Sequence, residues 1–162
     1  MTSSARYTFD IALHPGPHEA AAGPPHDDAW GRWPTRAQRI AGPAPLGPDF
    51  EACLGRLTAL PRMFVEPDGA LLWTGTDTAG DGRPWQVDGT AWECAGRLLR
   101  IDLKGSCPTA AFDALLAACG WPTTPFVVEL VRPAVLLEIE TFRRHAAARA
   151  TPRSTPTGAS PG

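Results

Sequence analysis

The segment Lys104-Gly105-Ser106-Cys107-Pro108 contains the residues of this chain that are best suited to chemistry. Pro108 suits the first position of a helix, which places Cys107 at or near the N-cap. Unbonded N–H groups and the positive helix end favour an anion there, and they lower the pKa of a thiol. Lys104, the only lysine, lies at the end of the preceding strand. Lys104, Ser106 and Cys107 are therefore a candidate anion or thiol site.

The alternative is a purely structural helix start. The side chain of Ser106 or Thr109 would then accept hydrogen bonds from the free N–H groups, and Cys107 would pack inside the protein. No histidine or aspartate at a telling spacing completes a nucleophile–base pair with Cys107. We therefore assign no catalytic residue from the sequence.

Glu129 interrupts the otherwise apolar run of residues 126–131. On a central strand its carboxyl group would be partly buried with a raised pKa, and it could act as an acid or a base. It could equally form a structural cross-strand pair with Arg100 or Lys104. Glu129 is therefore a candidate buried carboxylate with two open interpretations.

Two further groups contain residue types that bind metals. The first comprises His14, His18, His26, Asp27 and Asp28, and the second comprises Asp77 and Asp81. The spacing of the first group is irregular, whereas structural zinc sites normally show close ligand pairs. The second group lacks the closing glutamate of an EF-hand loop. The sequence therefore predicts no metal site and no cofactor.

Trp30 and Trp33 lie in a proline-rich segment that has few aliphatic residues. Large aromatic side chains in such a segment either bind a partner or pack back onto their own domain. We therefore treat Trp30 and Trp33 as candidate partner-binding residues, with intramolecular packing as the alternative.

The C-terminal region is rich in arginine. The residues are Arg143, Arg144, Arg149 and Arg153. They could contact phosphate or an acidic partner. The alternative is that they are solvated side chains that suit the end of a helix.

The elements that position these residues follow from hydrophobic periodicity. Residues 98–130 begin with a strand in which Leu99, Ile101 and Leu103 alternate with polar residues. A helix follows, with an apolar stripe at i, i+3, i+4 and i+7 that starts at Phe112. A compact β-branched run then completes a βαβ unit, whose crossover should be right-handed.

Similar patterns predict the remaining elements. They are a strand over 6–13, a helix over 49–60, a hairpin of 63–66 with 70–74, a hairpin of 85–87 with 90–92 around Asp88-Gly89, and a last helix from Leu136 to near Ala148. The chain then divides into an N-terminal strand (1–13), a proline-rich strap or linker (14–48), an α+β core domain (49–148) and a disordered tail (149–162). The expected fold class is α+β, with a mainly antiparallel sheet, one βαβ crossover, helices packed on one face and a polar, solvated opposite face.

The bulk composition excludes several classes of protein. A net charge of −2 gives no general attraction to nucleic acid or to anionic membranes, and no apolar run could span a bilayer. The N-terminus lacks the pattern of a secretory signal, and the four cysteines show no C-x-x-C spacing. These features predict a cytoplasmic protein with free thiols.

The expected function is a small non-catalytic module that binds another protein, whose identity the sequence does not give. The alternative is a small enzyme or an anion-binding protein that uses the strand-to-helix turn from Lys104 to Pro108 together with Cys107. Edge strands of a small sheet also make a homodimer possible.

Overall fold

The computed structural model describes residues 5–16, 21–37 and 46–151. Over these ranges the chain forms a seven-stranded antiparallel sheet, a two-stranded hairpin and three helices. In chain order the elements are β1 (Arg6–Pro15), β2 (His26–Asp28), β3 (Gly31–Trp33), α1 (Phe50–Thr58), β4 (Met63–Val65), β5 (Ala70–Thr76), β6 (Pro84–Cys94), β7 (Arg97–Pro108), α2 (Thr109–Ala118), β8 (Phe126–Leu130), β9 (Val135–Glu138) and α3 (Ile139–Ala150). The predicted mixture of helices with a large antiparallel sheet is confirmed. None of the described helices is long and apolar enough to cross a membrane.

β1 is an interior strand of the large sheet. The strand order is β4-β5-β6-β7-β1-β8-β9, and β1 is antiparallel to both of its neighbours. β7 and β8 therefore run in the same direction, with α2 connecting them and β1 inserted between them. Strand, helix and strand thus follow one another in the predicted order, but the two strands do not pair with each other.

The core lies on the face of β1 that carries its odd-numbered residues. Tyr7 and Phe9 are almost fully buried there. Phe112 of α2 packs against Tyr7 with ring centroids 5.7 Å apart, and Phe142 of α3 packs against Phe9 at 6.5 Å. The rings of Phe112 and Phe142 are themselves 5.2 Å apart. Both helices thus contact the same side of β1 through aromatic side chains, which bury large apolar areas.

The first helix and the hairpin after it match the predictions closely. Asp49 is the N-cap of α1, and its carboxylate accepts a hydrogen bond from the N–H of Ala52 at 2.8 Å. The turn between β4 and β5 ends at Gly69, whose φ of +95° is unfavourable for other residues. A Cβ atom on Gly69 would also overlap the carbonyl oxygen of Ala91. Glycine is therefore required here.

The predicted hairpin around Asp88-Gly89 is wrong. β6 runs without interruption through both residues, and Gly89 lies between Leu71 of β5 and Leu103 of β7. A Cβ atom on Gly89 would overlap the carbonyl oxygen of Asp102, so this glycine permits close packing rather than a turn. The chain instead reverses at Ala95-Gly96, where both residues have positive φ.

A β-bulge changes which leucine of β7 enters the core. The register shifts between Trp92 and Glu93, so that they pair with Arg100 and Leu98 and leave one residue of β7 unpaired. As a result Leu98 is fully buried, whereas Leu99 is only half-buried. The predicted alternation holds from Ile101 onward.

Two other segments differ from the expected structure. Residues 135–138 form β9, which pairs with β8, so the last helix begins at Ile139 rather than at Leu136. Residues 26–33 form a hairpin within the proline-rich segment 14–48, in which no strand was predicted beyond residue 13. The N–H of Arg36 donates to the carbonyl of Leu136 at 2.8 Å, which joins this segment to the sheet edge. Most of the predicted tail, residues 152–162, lies outside the described residues.

Candidate functional site

β1 has a neighbouring strand on both sides along only part of its length. Its pairing with β7 covers residues 6–13, whereas its pairing with β8 covers only residues 11–15. Among the described residues, no strand lies beside residues 6–9 on the β8 side. An interior strand of the sheet therefore has one open half-edge.

The peptide groups that face this half-edge can be identified from two hydrogen bonds. The N–H of Thr109 donates to the carbonyl of Ala5 at 3.0 Å, on the β7 side. The N–H of Val131 donates to the carbonyl of Asp10 at 3.3 Å, on the β8 side. Peptide groups alternate in direction along a strand, so even-numbered residues of β1 point towards β8. The N–H and C=O of Thr8 therefore point into the open half-edge.

A cleft of about 720 Å³ lies beside this half-edge. Its lining comes from five parts of the fold. These are Thr8, Phe9 and Asp10 of β1; Lys104 of β7; Leu130, Arg132 and Pro133 at the end of β8; His26, Asp28 and Trp30 of the β2–β3 hairpin; and His145 and Arg149 of α3. The open backbone of β1 thus borders a concave site with aromatic and charged walls.

Asp28 fastens the hairpin to α3. One carboxylate oxygen accepts hydrogen bonds from the N–H groups of Trp30 and Gly31 and from the indole N–H of Trp33, at 2.8–3.2 Å. The other oxygen lies 2.8 Å from Nε2 of His145. Burial alone would raise the pKa of Asp28, but the hydrogen bonds from Trp33, Trp30 and His145 outweigh it and hold the pKa at about 2. Asp28 is therefore ionised and well satisfied, as a structural anchor would be.

His145 is the partner of this anchor on α3. The residue is 3% exposed, and burial lowers its pKa despite the hydrogen bond with Asp28. The rings of Trp30 and Trp33 stand perpendicular to the imidazole at centroid distances of 6.3 and 5.1 Å. With Nε2 facing the carboxylate, Nδ1 has no hydrogen-bond partner in the described part of the chain. The lowered pKa favours a neutral imidazole, whose ring contacts both indoles.

The two candidate tryptophans have different surroundings. Trp33 is half-buried and packs against the core, which agrees with the intramolecular alternative. Trp30 is 40% exposed and lines the cleft, and the guanidinium of Arg149 lies 5.1 Å from the centre of its ring. Trp30 is therefore the one of the pair that lines the cleft.

The cleft has no counterpart from which a function could be transferred. The chain matches no protein-family model, no curated protein and no solved structure. Any functional assignment therefore depends on the geometry of the described residues.

The candidate site at Lys104, Ser106 and Cys107 is not assembled in the way that was expected. These residues belong to β7, which continues to Pro108, so the segment is a strand rather than a turn. Lys104 and Ser106 pair with Asp10 and Thr8 on the polar face of the sheet. The side chain of Cys107 points to the opposite face, because side chains alternate along a strand. The three groups do not converge.

The surroundings of Cys107 match the packed alternative rather than an activated thiol. The residue is 1% exposed, and burial raises the pKa of its thiol to about 12. Pro108 rather than Cys107 occupies the N-cap of α2, and its side chain makes no capping hydrogen bond. Burial raises the pKa of this thiol more than the Arg6 guanidinium and the Phe112 backbone lower it. Desolvation in the core thus outweighs the influence of the helix end, and the packed alternative describes this residue.

Glu129 forms a cross-strand pair, but with a partner that the sequence did not suggest. Its carboxylate lies 2.7 Å from Nε2 of His14 on β1. Arg100, one of the two expected partners, is 3.2 Å from Asp102 instead. Glu129 is only part-buried on the polar sheet face, where it borders a shallow concavity with Lys104. The structural interpretation of Glu129 is therefore the one that fits.

The described histidine and aspartate residues that were considered as metal ligands are also divided among separate parts of the fold. His14 contacts Glu129, while His26 lies 3.6 Å from Asp28 at the cleft, and His18 lies outside the described residues. Within the described ranges no cluster of three or more histidine, cysteine or acidic side chains is arranged to hold a metal ion.

The lining residues without a predicted site role include Thr8, Arg132 and His145. Thr8 is a surface residue in an alternating strand, and its importance depends on where β8 stops. Arg132 follows the apolar run of residues 126–131, and no pattern around it indicates a site. For His145, the sequence shows only a histidine on a predicted helix. That observation does not identify the residue to which its imidazole would bind.

Proposed function

We propose that the protein is a non-catalytic protein-binding module that takes up an extended segment of its partner along the open half-edge of β1. The observation that carries this proposal is the orientation of the Thr8 N–H and C=O groups into the cleft. An exposed strand edge binds an extended peptide through main-chain hydrogen bonds, while pockets beside it select the side chains.

The dimensions of the half-edge suit a short segment. A bound strand would lie about 4.8 Å from β1 and would run beside about four residues, a length of roughly 13 Å. Beyond Leu130, the bound segment would occupy the position beside β1 that β8 occupies up to that residue. Trp30 would flank the bound segment, and partly exposed tryptophan side chains are frequent anchors in protein interfaces.

The alternative function, an enzyme or anion-binding protein at Cys107, has less support. Its nucleophile is buried with a raised pKa, and Lys104 and Ser106 lie on the other face of the sheet. The cleft beside β1 contains Thr8 but no serine or cysteine among its lining residues. We therefore favour recognition over catalysis.

A pair of substitutions at Thr8 tests the proposal. A phage-displayed library of random octapeptides is selected on the full-length protein, and the affinities of enriched peptides are measured by calorimetry. Thr8→Pro removes the N–H that faces the cleft, and proline is tolerated where a strand N–H is unpaired. Thr8→Val keeps that N–H and the β-branched shape, and serves as the matched control.

We expect Thr8→Pro to weaken peptide binding at least tenfold and Thr8→Val to change it less than about threefold, since one main-chain hydrogen bond and the fit of the strand are lost only in the former. Circular dichroism of both variants checks that the fold is retained. Equal binding by a folded Thr8→Pro protein, or failure of the library to yield peptides that distinguish it from the wild type, would overturn the proposal.

A further inference from the structure

Positive charge predominates at the rim of the cleft. The cationic side chains are Lys104, Arg132 and Arg149, and all three are exposed. Lys104 makes no ion pair with a described residue. Arg132 is 84% exposed and reaches Asp10 only at 4.0 Å. These cations are thus largely free to contact a bound molecule.

The acidic residues of the cleft do not offset this charge equally. The carboxylate of Asp28 is turned towards N–H donors of the hairpin and towards His145, so it is directed into the protein. Asp10 is the one acidic side chain of the lining that is not engaged in this way, and Arg132 is its neighbour. The exposed rim therefore has three positive groups and one negative group.

We infer that the segment bound beside β1 is acidic, and that Arg132 and Arg149 recognise its carboxylate side chains. This inference rests on the proposed function. Side chains of a bound strand alternate between the two faces of the sheet. Arg132 lies at the end of β8, and Arg149 lies on α3 with its guanidinium over Trp30. Arginine pairs well with carboxylates because its planar group can donate two parallel hydrogen bonds.

An acidic protein segment fits this site better than a nucleic acid does. The chain as a whole carries a net charge of −2, which opposes binding to an extended polyanion. A strand edge also presents main-chain N–H and C=O groups whose spacing matches that of the C=O and N–H groups of another extended polypeptide. The phosphates and sugars of a nucleic acid do not repeat at that spacing. The local rim charge can therefore select an acidic peptide without attracting nucleic acid generally.

The test compares octapeptide selections on three full-length proteins: the wild type, the double variant Arg132→Glu/Arg149→Glu, and the control Arg144→Glu. Arg144 is an exposed arginine of the same helix that does not line the cleft. A second double variant, Arg132→Gln/Arg149→Gln, is the fallback if the glutamates prevent folding. Affinities of enriched peptides are measured at low and high salt, and a dT oligonucleotide serves as competitor.

We expect the wild type and Arg144→Glu to enrich aspartate and glutamate, and Arg132→Glu/Arg149→Glu to enrich lysine and arginine. Replacing Glu by Gln in a wild-type-selected peptide should weaken binding about tenfold at low salt and less at high salt. The glutamine variant should lose the acidic preference without gaining a basic one.

Other results separate the two proposals. Peptides that depend on Thr8 but show no acidic enrichment would overturn this inference and leave the proposed function standing. A loss of acidic preference in Arg144→Glu equal to that of the double variant would also overturn it, because general surface charge would then explain the preference. Displacement of the peptide by the oligonucleotide at lower concentration than by an acidic peptide would assign the rim to nucleic acid instead. Peptides insensitive to Thr8→Pro would overturn both proposals.

Discussion

The two sides of β1 differ in how they are built. Its core face is covered by α2 and α3, which place Phe112 and Phe142 against Tyr7 and Phe9. Its open half-edge is bordered by the β2–β3 hairpin, the end of β8 and the last turns of α3. The core face depends on apolar side chains, whereas the cleft depends on main-chain groups and charges. Stability and recognition are therefore separable along one strand.

The largest expected effect concerns the core face. Phe112→Ala removes a fully buried ring that contacts three other aromatic side chains. Such a change costs about 3–5 kcal/mol of unfolding free energy, because apolar contact is lost and a cavity remains. Phe64→Ala on β4 is the matched control, since that ring is 66% exposed. It should change the unfolding free energy by less than about 0.5 kcal/mol in urea titrations.

Equal destabilisation by the two phenylalanine variants would contradict the idea that the core face of β1 determines stability. It would mean that α2 does not pack through Phe112, and that the sheet edge at β4 contributes as much as the centre.

A proline pair sharpens the comparison within β1 itself. Ala12 is opposite Glu129 of β8, and its N–H points towards that strand, whereas the N–H of Thr8 points into the cleft. Ala12→Pro should cost at least about 1–3 kcal/mol, because a buried carbonyl of β8 loses its donor. Thr8→Pro should lower the urea midpoint clearly less. If Thr8→Pro were the more harmful change, the half-edge would not be open.

The same contrast explains what the sequence could predict. The elements of the core face are local, and their periodicity was sufficient: β1, α1, α2 and the β4–β5 hairpin all lie within a few residues of the predicted ranges. The errors arose where one pattern has two physical causes. A glycine such as Gly89 can be required by a turn or by the close approach of a neighbouring strand, and the sequence does not distinguish the two. Residues 135–138 are too few for periodicity to separate strand from helix.

The cleft could not be predicted in this way because it depends on contacts between distant segments. Asp28 and His145 are 117 positions apart, and nothing in the sequence near either residue names the other. The half-edge exists because β8 leaves β1 after Leu130, a matter of register between strands far apart in the chain. Trp30 was identified as a candidate from its type alone, and its exposure became known only from the hairpin.

The smallest expected effect concerns the pH dependence of the hairpin anchor. Burial lowers the pKa of His145 in the folded state, whereas in the unfolded chain it takes up a proton near pH 6.5. As the pH falls below about 6.5 the unfolded state binds the additional proton, so the unfolding free energy should decrease until the pKa of folded His145 is reached. Asp28 acts in a lower window. Its folded pKa of about 2 lies below the ordinary 3.8, so its contribution is present above pH 3.8 and is lost as the pH falls towards 2.

The variant His145→Gln separates these windows. Three charged or titratable groups face the imidazole or lie near it: Asp28 and His26 on the hairpin and Arg149 on α3. The carboxylate favours the protonated ring, while burial, Arg149 and His26 disfavour it. Urea midpoints between pH 7.5 and pH 4.5 should therefore decline more steeply for the wild type than for His145→Gln, although the variant is less stable at pH 7.5. Parallel declines would contradict the lowered pKa of folded His145. A decline that is shallower for the wild type than for His145→Gln would show that the folded pKa lies above the unfolded value, and that Asp28 attaches the hairpin to α3 through an ion pair. The cleft wall would then tighten in acid, which is the opposite of the behaviour expected from a buried neutral imidazole.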